Sequence, residues 1–100
     1  MRVELRDEAR NDLTDAAHFY DRQSSGLGDH FIDCLERDLW SLTSTHGIHE
    51  TAFGFHRKLA TNFPFSIYYL VRDHVVDVVA ILDCREDPRK TEARLGRTTT

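Results

Sequence analysis

Two apolar runs separated by a three-residue polar turn constrain this chain more than any other feature. Phe65-Ser66-Ile67-Tyr68-Tyr69-Leu70-Val71 and Val75-Val76-Asp77-Val78-Val79-Ala80-Ile81-Leu82 flank Arg72-Asp73-His74. Both runs read as β-strands. In the first, Phe65, Ile67, Tyr69 and Val71 fall on one face, and Ser66, Tyr68 and Leu70 on the other. The second is apolar almost throughout, so it belongs in a central or well-covered position. Two strands cannot bury this much apolar surface alone, and the rest of the chain must supply a cover. Pro64 suits the start of the first run, because proline has no backbone donor. Arg85-Glu86-Asp87-Pro88 closes the second run and brings the basic end of the chain beside the sheet.

The cover lies upstream. Asp7 and Glu8 favour the positive end of a helix, and Ala9, Leu13, Ala16, Ala17 and Tyr20 recur at helical spacing. Arg10, Asp12, Asp15, Asp21 and Arg22 take the wet side. Ser24-Ser25-Gly26 ends this helix, with Gly26 suited to the left-handed conformation a helix end needs. A second helix is predicted over residues 27–45. Leu27, Phe31, Leu35 and Leu39 form its apolar stripe, broadened by Ile32 and Leu42. Trp40 is expected at the boundary of the packed region. The short link predicts an antiparallel helical hairpin.

The remaining segments complete one α+β domain. Met1-Arg2-Val3-Glu4-Leu5 alternates as a short strand does. A strand is expected from Phe53 through Leu59, with Phe53, Phe55 and Arg57 facing one way and His56 and Lys58 the other. Residues 89–96 have the makings of a short basic helix. The expected order is an N-terminal strand, two helices, then a three-stranded antiparallel meander forming one small sheet. One domain is expected over residues 1–96, with residues 97–100 a flexible end.

Charge is uneven. The formal net charge is -4, but residues 1–50 hold five basic and eleven acidic side chains, and residues 51–100 hold eight basic and six acidic. The whole molecule is therefore not a basic nucleic-acid binder, although its C-terminal half can present a basic patch. Cys34 and Cys84 show no zinc-ligand spacing, and Cys34 sits in the apolar helical register as a structural thiol. No long apolar run or signal-peptide pattern occurs, so a cytoplasmic location is expected.

Phosphate-loop and nucleophile-elbow motifs are absent, and Gly26-Leu27-Gly28 alone does not make a phosphate loop. Asp12 and Asp15 read as solubilising surface carboxylates. The six histidines are scattered, and only the fold decides whether any converge. The chemistry that stands out is cationic. Arg57 and Lys58 on the proposed strand, and Arg85, Arg89, Lys90 and Arg94 after the last one, suit a phosphate or a carboxylated partner. Arg57 and Arg85 are equally suited to structural salt bridges. Tyr68 and Tyr69 offer hydroxyls for proton transfer, or strand packing with a hydrogen bond at the ring tip.

Several of these residues occur in a recognisable order: Ala9-Arg10-Asn11-Asp12-Leu13, Tyr20, Gly26-Leu27-Gly28 with Phe31, Arg57, Phe63-Pro64-Phe65-Ser66-Ile67-Tyr68-Tyr69, and Arg85-Glu86-Asp87-Pro88 with Arg94. In this the chain resembles the RelE/ParE family of bacterial type II toxins, especially its ParE-like branch. The resemblance implies a small sheet covered by a helical hairpin, a cognate antitoxin as partner, and no metal, nucleotide or organic cofactor. ParE-like members act against DNA gyrase, whereas RelE-like members cleave messenger RNA on the ribosome. The ParE-like pattern His-x-Arg-Arg-x-Pro is altered here: Asp83 takes the histidine position, Glu86 replaces the second arginine, and Thr91 stands where an aromatic residue is common. The ribonuclease pattern is also incomplete. The resemblance thus implies a gyrase-directed, non-catalytic toxin whose target-binding residues are Arg57, Lys58, Arg85, Arg89 and Arg94. The alternatives are a ribosome-dependent endonuclease and a non-toxic antitoxin-binding protein that keeps the fold.

Overall fold

The computed structural model describes residues 1–98. The first strand, β1 (Arg2–Leu5), leads into helix α1 (Asp7–Gln23) and helix α2 (Leu27–Thr45). Strands β2 (Thr51–Ala52), β3 (Phe55–Leu59), β4 (Phe65–Arg72) and β5 (Val75–Asp83) follow, and helix α3 (Pro88–Gly96) comes last. The sheet order is β1-β5-β4-β3-β2, with β1 parallel to β5 and every other pair antiparallel. The apolar β5 is therefore flanked by strands on both sides, as its composition requires.

The link between α1 and α2 depends on two glycines for different reasons. Gly26 adopts φ 87°, where a side chain is strained. Gly28 is needed for space: a Cβ there would stand 2.5 Å from the Ala17 carbonyl oxygen and 2.7 Å from the Asp21 carboxyl carbon. Its backbone N–H donates to Asp21 Oδ1 at 2.8 Å. The hairpin closes through this contact.

The hairpin covers one face of the sheet. Phe31, Leu35, Leu39 and Leu42 meet Phe65, Ile67, Tyr69, Val76, Val78 and Ile81 in one buried cluster. Tyr20, Phe31, Phe63 and Phe65 add ring contacts at tilted or edge-on angles. On the other face Phe55, Tyr68, Val79 and Ala80 are sealed by Leu95 of α3. A register shift between Tyr68 and Tyr69 places Val79 as an extra residue between the partners Val78 and Ala80. This bulge moves the alternation of β5, so that Val76 and Val78, then Ile81, all face the hairpin.

Three expectations are corrected. The strand expected from Phe53 to Leu59 is broken, because Phe53 (φ 56°) and Gly54 (φ 86°) form a two-residue turn between β2 and β3. Left-handed values at both central positions match the twist of a tight hairpin, and the meander gains a short extra strand. Trp40 does not lie at the packing boundary but is 76% exposed. Asp12 is not a solubilising carboxylate; it is half-buried and bonded to two distant segments. The predicted C-terminal helix is present, and Arg97 and Thr98 continue it as hydrogen-bonded residues. The rest of the end assigned to residues 97–100 lies outside the described residues.

Candidate functional site

The uncovered part of β5 organises the C-terminal region. β1 pairs only with Val75–Val78, so the strand's later half has no neighbour on that side. The Asp12 carboxylate on α1 takes the place of the missing strand at one point: Ile81 N–H donates to Asp12 Oδ2 at 3.0 Å. Arg94 of α3 then donates to both Asp12 oxygens, at 2.9 and 2.8 Å. Its Nε lies 3.4 Å from Glu8 Oε2. The bond to Asp12 holds the Arg94 guanidinium above its ordinary pKa. Helix α3 is thus pinned to the free edge by Arg94 and to the far face by Leu95.

A cleft of about 490 Å³ opens beside this anchor, lined among others by Asp15, Ala16, Phe19, Leu82, Glu86 and Lys90. Of the other C-terminal cations, Lys90 and Arg97 line it, Arg85 and Arg89 lie in the adjoining segment, and all but Arg97 pair with a nearby carboxylate among the described residues. Arg85 donates to both oxygens of Asp83, at 3.0 and 2.8 Å, and its backbone N–H also bonds Asp83 Oδ1. Arg85 pulls the Asp83 carboxyl below the usual carboxylate range. Arg89 pairs with Asp87, which also caps α3 by accepting from Arg89 N–H at 2.9 Å. Lys90 lies 3.4 Å from Glu86. Most of the expected basic patch is therefore a rim of locally neutralised pairs.

The β3 cations stand apart from that rim. Arg57 pairs with Tyr68 in register, on the sheet face that α3 seals, and donates to Glu50 Oε1 at 2.8 Å. Its pKa is raised chiefly by Glu50. Lys58 pairs with Ile67, on the hairpin side, and forms no ion pair among the described residues. The five sequence-derived cations thus divide into an exposed pair, Arg85 in the turn after β5 and Arg89 in the first turn of α3; an anchored Arg94; and two β3 residues on opposite faces.

Two histidines do converge, on Tyr69. The His49 ring Nδ1 lies 2.6 Å from the Tyr69 hydroxyl, to which Gly47 N–H also donates at 3.0 Å. His56 stacks on the Tyr69 ring with centroids 5.1 Å apart, and its Nδ1 lies 2.9 Å from the His49 carbonyl oxygen. The Tyr69 hydroxyl accepts from Gly47 N–H and shares a second hydrogen bond with His49 Nδ1, whose direction follows the imidazole tautomer. Burial pushes the His49 pKa down, and Lys58 and His56 push it further. Burial likewise raises the Tyr69 pKa. This cluster clasps the loop after α2 to the sheet. Tyr69 is 0% exposed, so its hydroxyl is enclosed and engaged on both sides, unlike an accessible acid or base. Among the described residues there is no group of three histidine, cysteine or carboxylate side chains able to hold a metal ion. No helix among them is long and apolar enough to cross a membrane.

Sequence reading singled out the basic end but missed Asp12, Gly28 and the Tyr69 clasp. Asp12 lies in the hydrophilic register of α1, and its partners are 69 and 82 residues away. The order of residues along the chain, rather than any local pattern, carried the resemblance that included Asp12 and Gly28.

Comparison with known proteins agrees with this fold. The family model for the ParE toxin of the type II toxin–antitoxin system parDE matches residues 3–88. The chain belongs to this family of ParE toxins. Among solved structures, it is similar to a chain of the chromosomal ParDE toxin–antitoxin system from P. aeruginosa, with a TM-score of 0.73 and 14% sequence identity. That alignment covers 81% of this chain and 92% of the other, and establishes the common fold. No curated protein matches significantly. The family match ends at the first residue of α3, so Arg57, Lys58 and Arg85 fall within it and Arg89 and Arg94 beyond it.

Proposed function

We propose that this ParE-family protein inhibits DNA gyrase by binding it, and that a small cognate antitoxin neutralises the inhibition. The family match over residues 3–88 carries this reading. The arrangement of the basic end supports it. Arg85 and Arg89 are exposed and form their ion pairs with carboxylates two residues away, so both can exchange an internal carboxylate for one on a partner. Lys58 is the supporting cation on β3, while Arg57 and Arg94 position the surface around them. The action in this reading is stoichiometric binding, in keeping with the enclosed hydroxyl of Tyr69.

A supercoiling assay with purified, folded protein tests the reading. Inhibition should rise with toxin concentration, covalent DNA–gyrase complexes should accumulate, and prior mixing with the antitoxin encoded beside the toxin should abolish both. Gyrase activity that is unchanged at saturating toxin would sink it. Ribosome-dependent cuts in messenger RNA, mapped at their ends, would replace it with the endonuclease reading.

A further inference from the structure

The outer face of α2 presents a large aromatic ring with no internal use. Asp29, Asp33, Glu36, Arg37, Trp40 and Ser44 follow one another at helical spacing and are all exposed. The buried stripe of Phe31, Leu35, Leu39 and Leu42 lies on the opposite side of the same helix. Trp40 is 76% exposed, and with Asp33, Glu36 and Arg37 it lines a shallow depression. The acid is not confined to this stripe. Residues 1–50 carry eleven acidic against five basic side chains. Asp12 and Asp38 are spent inside the fold, on Arg94 and Thr61, whereas Asp29, Asp33 and Glu36 face solvent.

We propose that this face of α2 docks a cationic segment of the antitoxin, with a lysine or arginine laid across the Trp40 indole and paired to Asp33 or Glu36. The inference rests on the antitoxin reading and adds to it the chemistry of the contact. An indole face attracts a cation through its ring quadrupole, and two carboxylates one turn or two away hold the same charge from the side. Partial desolvation on docking strengthens both terms. An acidic segment would meet like charge along the whole stripe. A second copy docked face to face would set three carboxylates against three, with one arginine on each side to offset them. A basic, amphipathic stretch is the occupant that satisfies the ring and the charges together.

The chain contains one tryptophan, so its own emission reports on Trp40, and the same titration of Trp40→Ala subtracts the emission of the antitoxin. The experiment titrates the toxin with its purified antitoxin, following emission and, in parallel, association by sedimentation. Binding should shift the emission to shorter wavelength and protect the indole from acrylamide. Trp40→Ala should weaken association about tenfold. Glu36→Lys, which leaves the ring in place, should weaken it comparably and flatten its salt dependence. Both positions are exposed, and circular dichroism verifies that each variant folds. Association with unchanged emission, and with both variants within twofold of wild type, overturns the proposal and leaves the antitoxin reading standing. A blue shift of toxin alone that grows with its own concentration overturns the choice of occupant in favour of self-association. Failure of the two proteins to associate by sedimentation removes the antitoxin reading itself, and the proposal with it.

Discussion

Polar contacts in this protein fall into two groups that differ in reach. Arg94 meets Asp12 across 82 residues, Arg6 meets Asp77 across 71, and Ile81 meets Asp12 across 69. Arg85–Asp83 and Arg89–Asp87 span only two. The long-range contacts are partly buried and tie the N-terminal strand and helix to β5 and α3. The short-range pairs are exposed and would form in almost any loop of that composition. Arginines of one C-terminal segment thus serve opposite purposes. Arg94 closes the fold, and Arg85 and Arg89 decorate it. Contacts that the fold does not need are the ones a partner can take over without unfolding the protein.

The largest effect should come from breaking the long-range group. Asp12→Ala removes the acceptor for Ile81 N–H and leaves the Arg94 guanidinium, whose side chain is 19% exposed, with only the longer contact to Glu8. We expect a loss of about 3 kcal/mol in urea unfolding, toward the low end for a broken buried pair because this one keeps some solvent. Arg94→Ala should cost less, since Asp12 retains Ile81 as a donor. Equal, small losses from both would place this anchor with the exposed pairs and dissolve the contrast.

The Tyr69 clasp sharpens the comparison, because it is a long-range contact that titrates. The folded pKa of His49 lies below its ordinary value of 6.5. The unfolded chain therefore binds a proton that the folded one resists. His49 contributes its full share of stability above about pH 6.5, and that share is lost as pH falls from there through the folded pKa. Unfolding midpoints measured from pH 8 to pH 5 should fall more steeply for wild type than for His49→Gln. At pH 8, His49→Ala should cost about 1 kcal/mol through the hydrogen bond lost at the Tyr69 hydroxyl, which keeps Gly47 N–H. Identical pH profiles would mean that the clasp does not depend on neutral His49.

How much of this was legible in the sequence follows the same division. Periodicity located α1 and α2 because Ala9, Leu13, Phe31, Leu35 and Leu39 repeat within one helix. The β4–β5 hairpin was legible from its alternating and continuous apolar runs on either side of Asp73-His74. The β2–β3 turn was not, because Phe53 in a left-handed conformation contradicts the usual preference of an aromatic residue. Trp40 was misplaced because its size argues for burial, although its helical phase puts it opposite the core. The cations of the candidate site could be named, but not sorted. Whether an arginine is an anchor or an ornament depends on which carboxylate folds against it, and Asp12 is a whole chain length from Arg94.

Arg85 supplies the smallest expected change in stability and the most direct test of its meaning. It sits on the rim with its guanidinium held in a two-pronged contact by Asp83, and the pair is open to solvent. Exposed pairs contribute little to stability, so Arg85→Ala should leave the urea midpoint nearly unchanged. If the exposed pairs are held in reserve for a partner, the same variant should lose gyrase inhibition by tenfold or more, the scale of one charge-assisted contact. Lys90→Ala is the matched control. Lys90 is also exposed and also neutralised locally, by Glu86 one turn away, but it lies past the end of the family match. It should change inhibition by less than threefold. A folded Arg85→Ala protein that inhibits as well as wild type would show that the rim is not the contact surface. An unfolded one would move Arg85 into the anchoring group, and the line drawn between near and distant partners would then fail at the residue chosen to defend it.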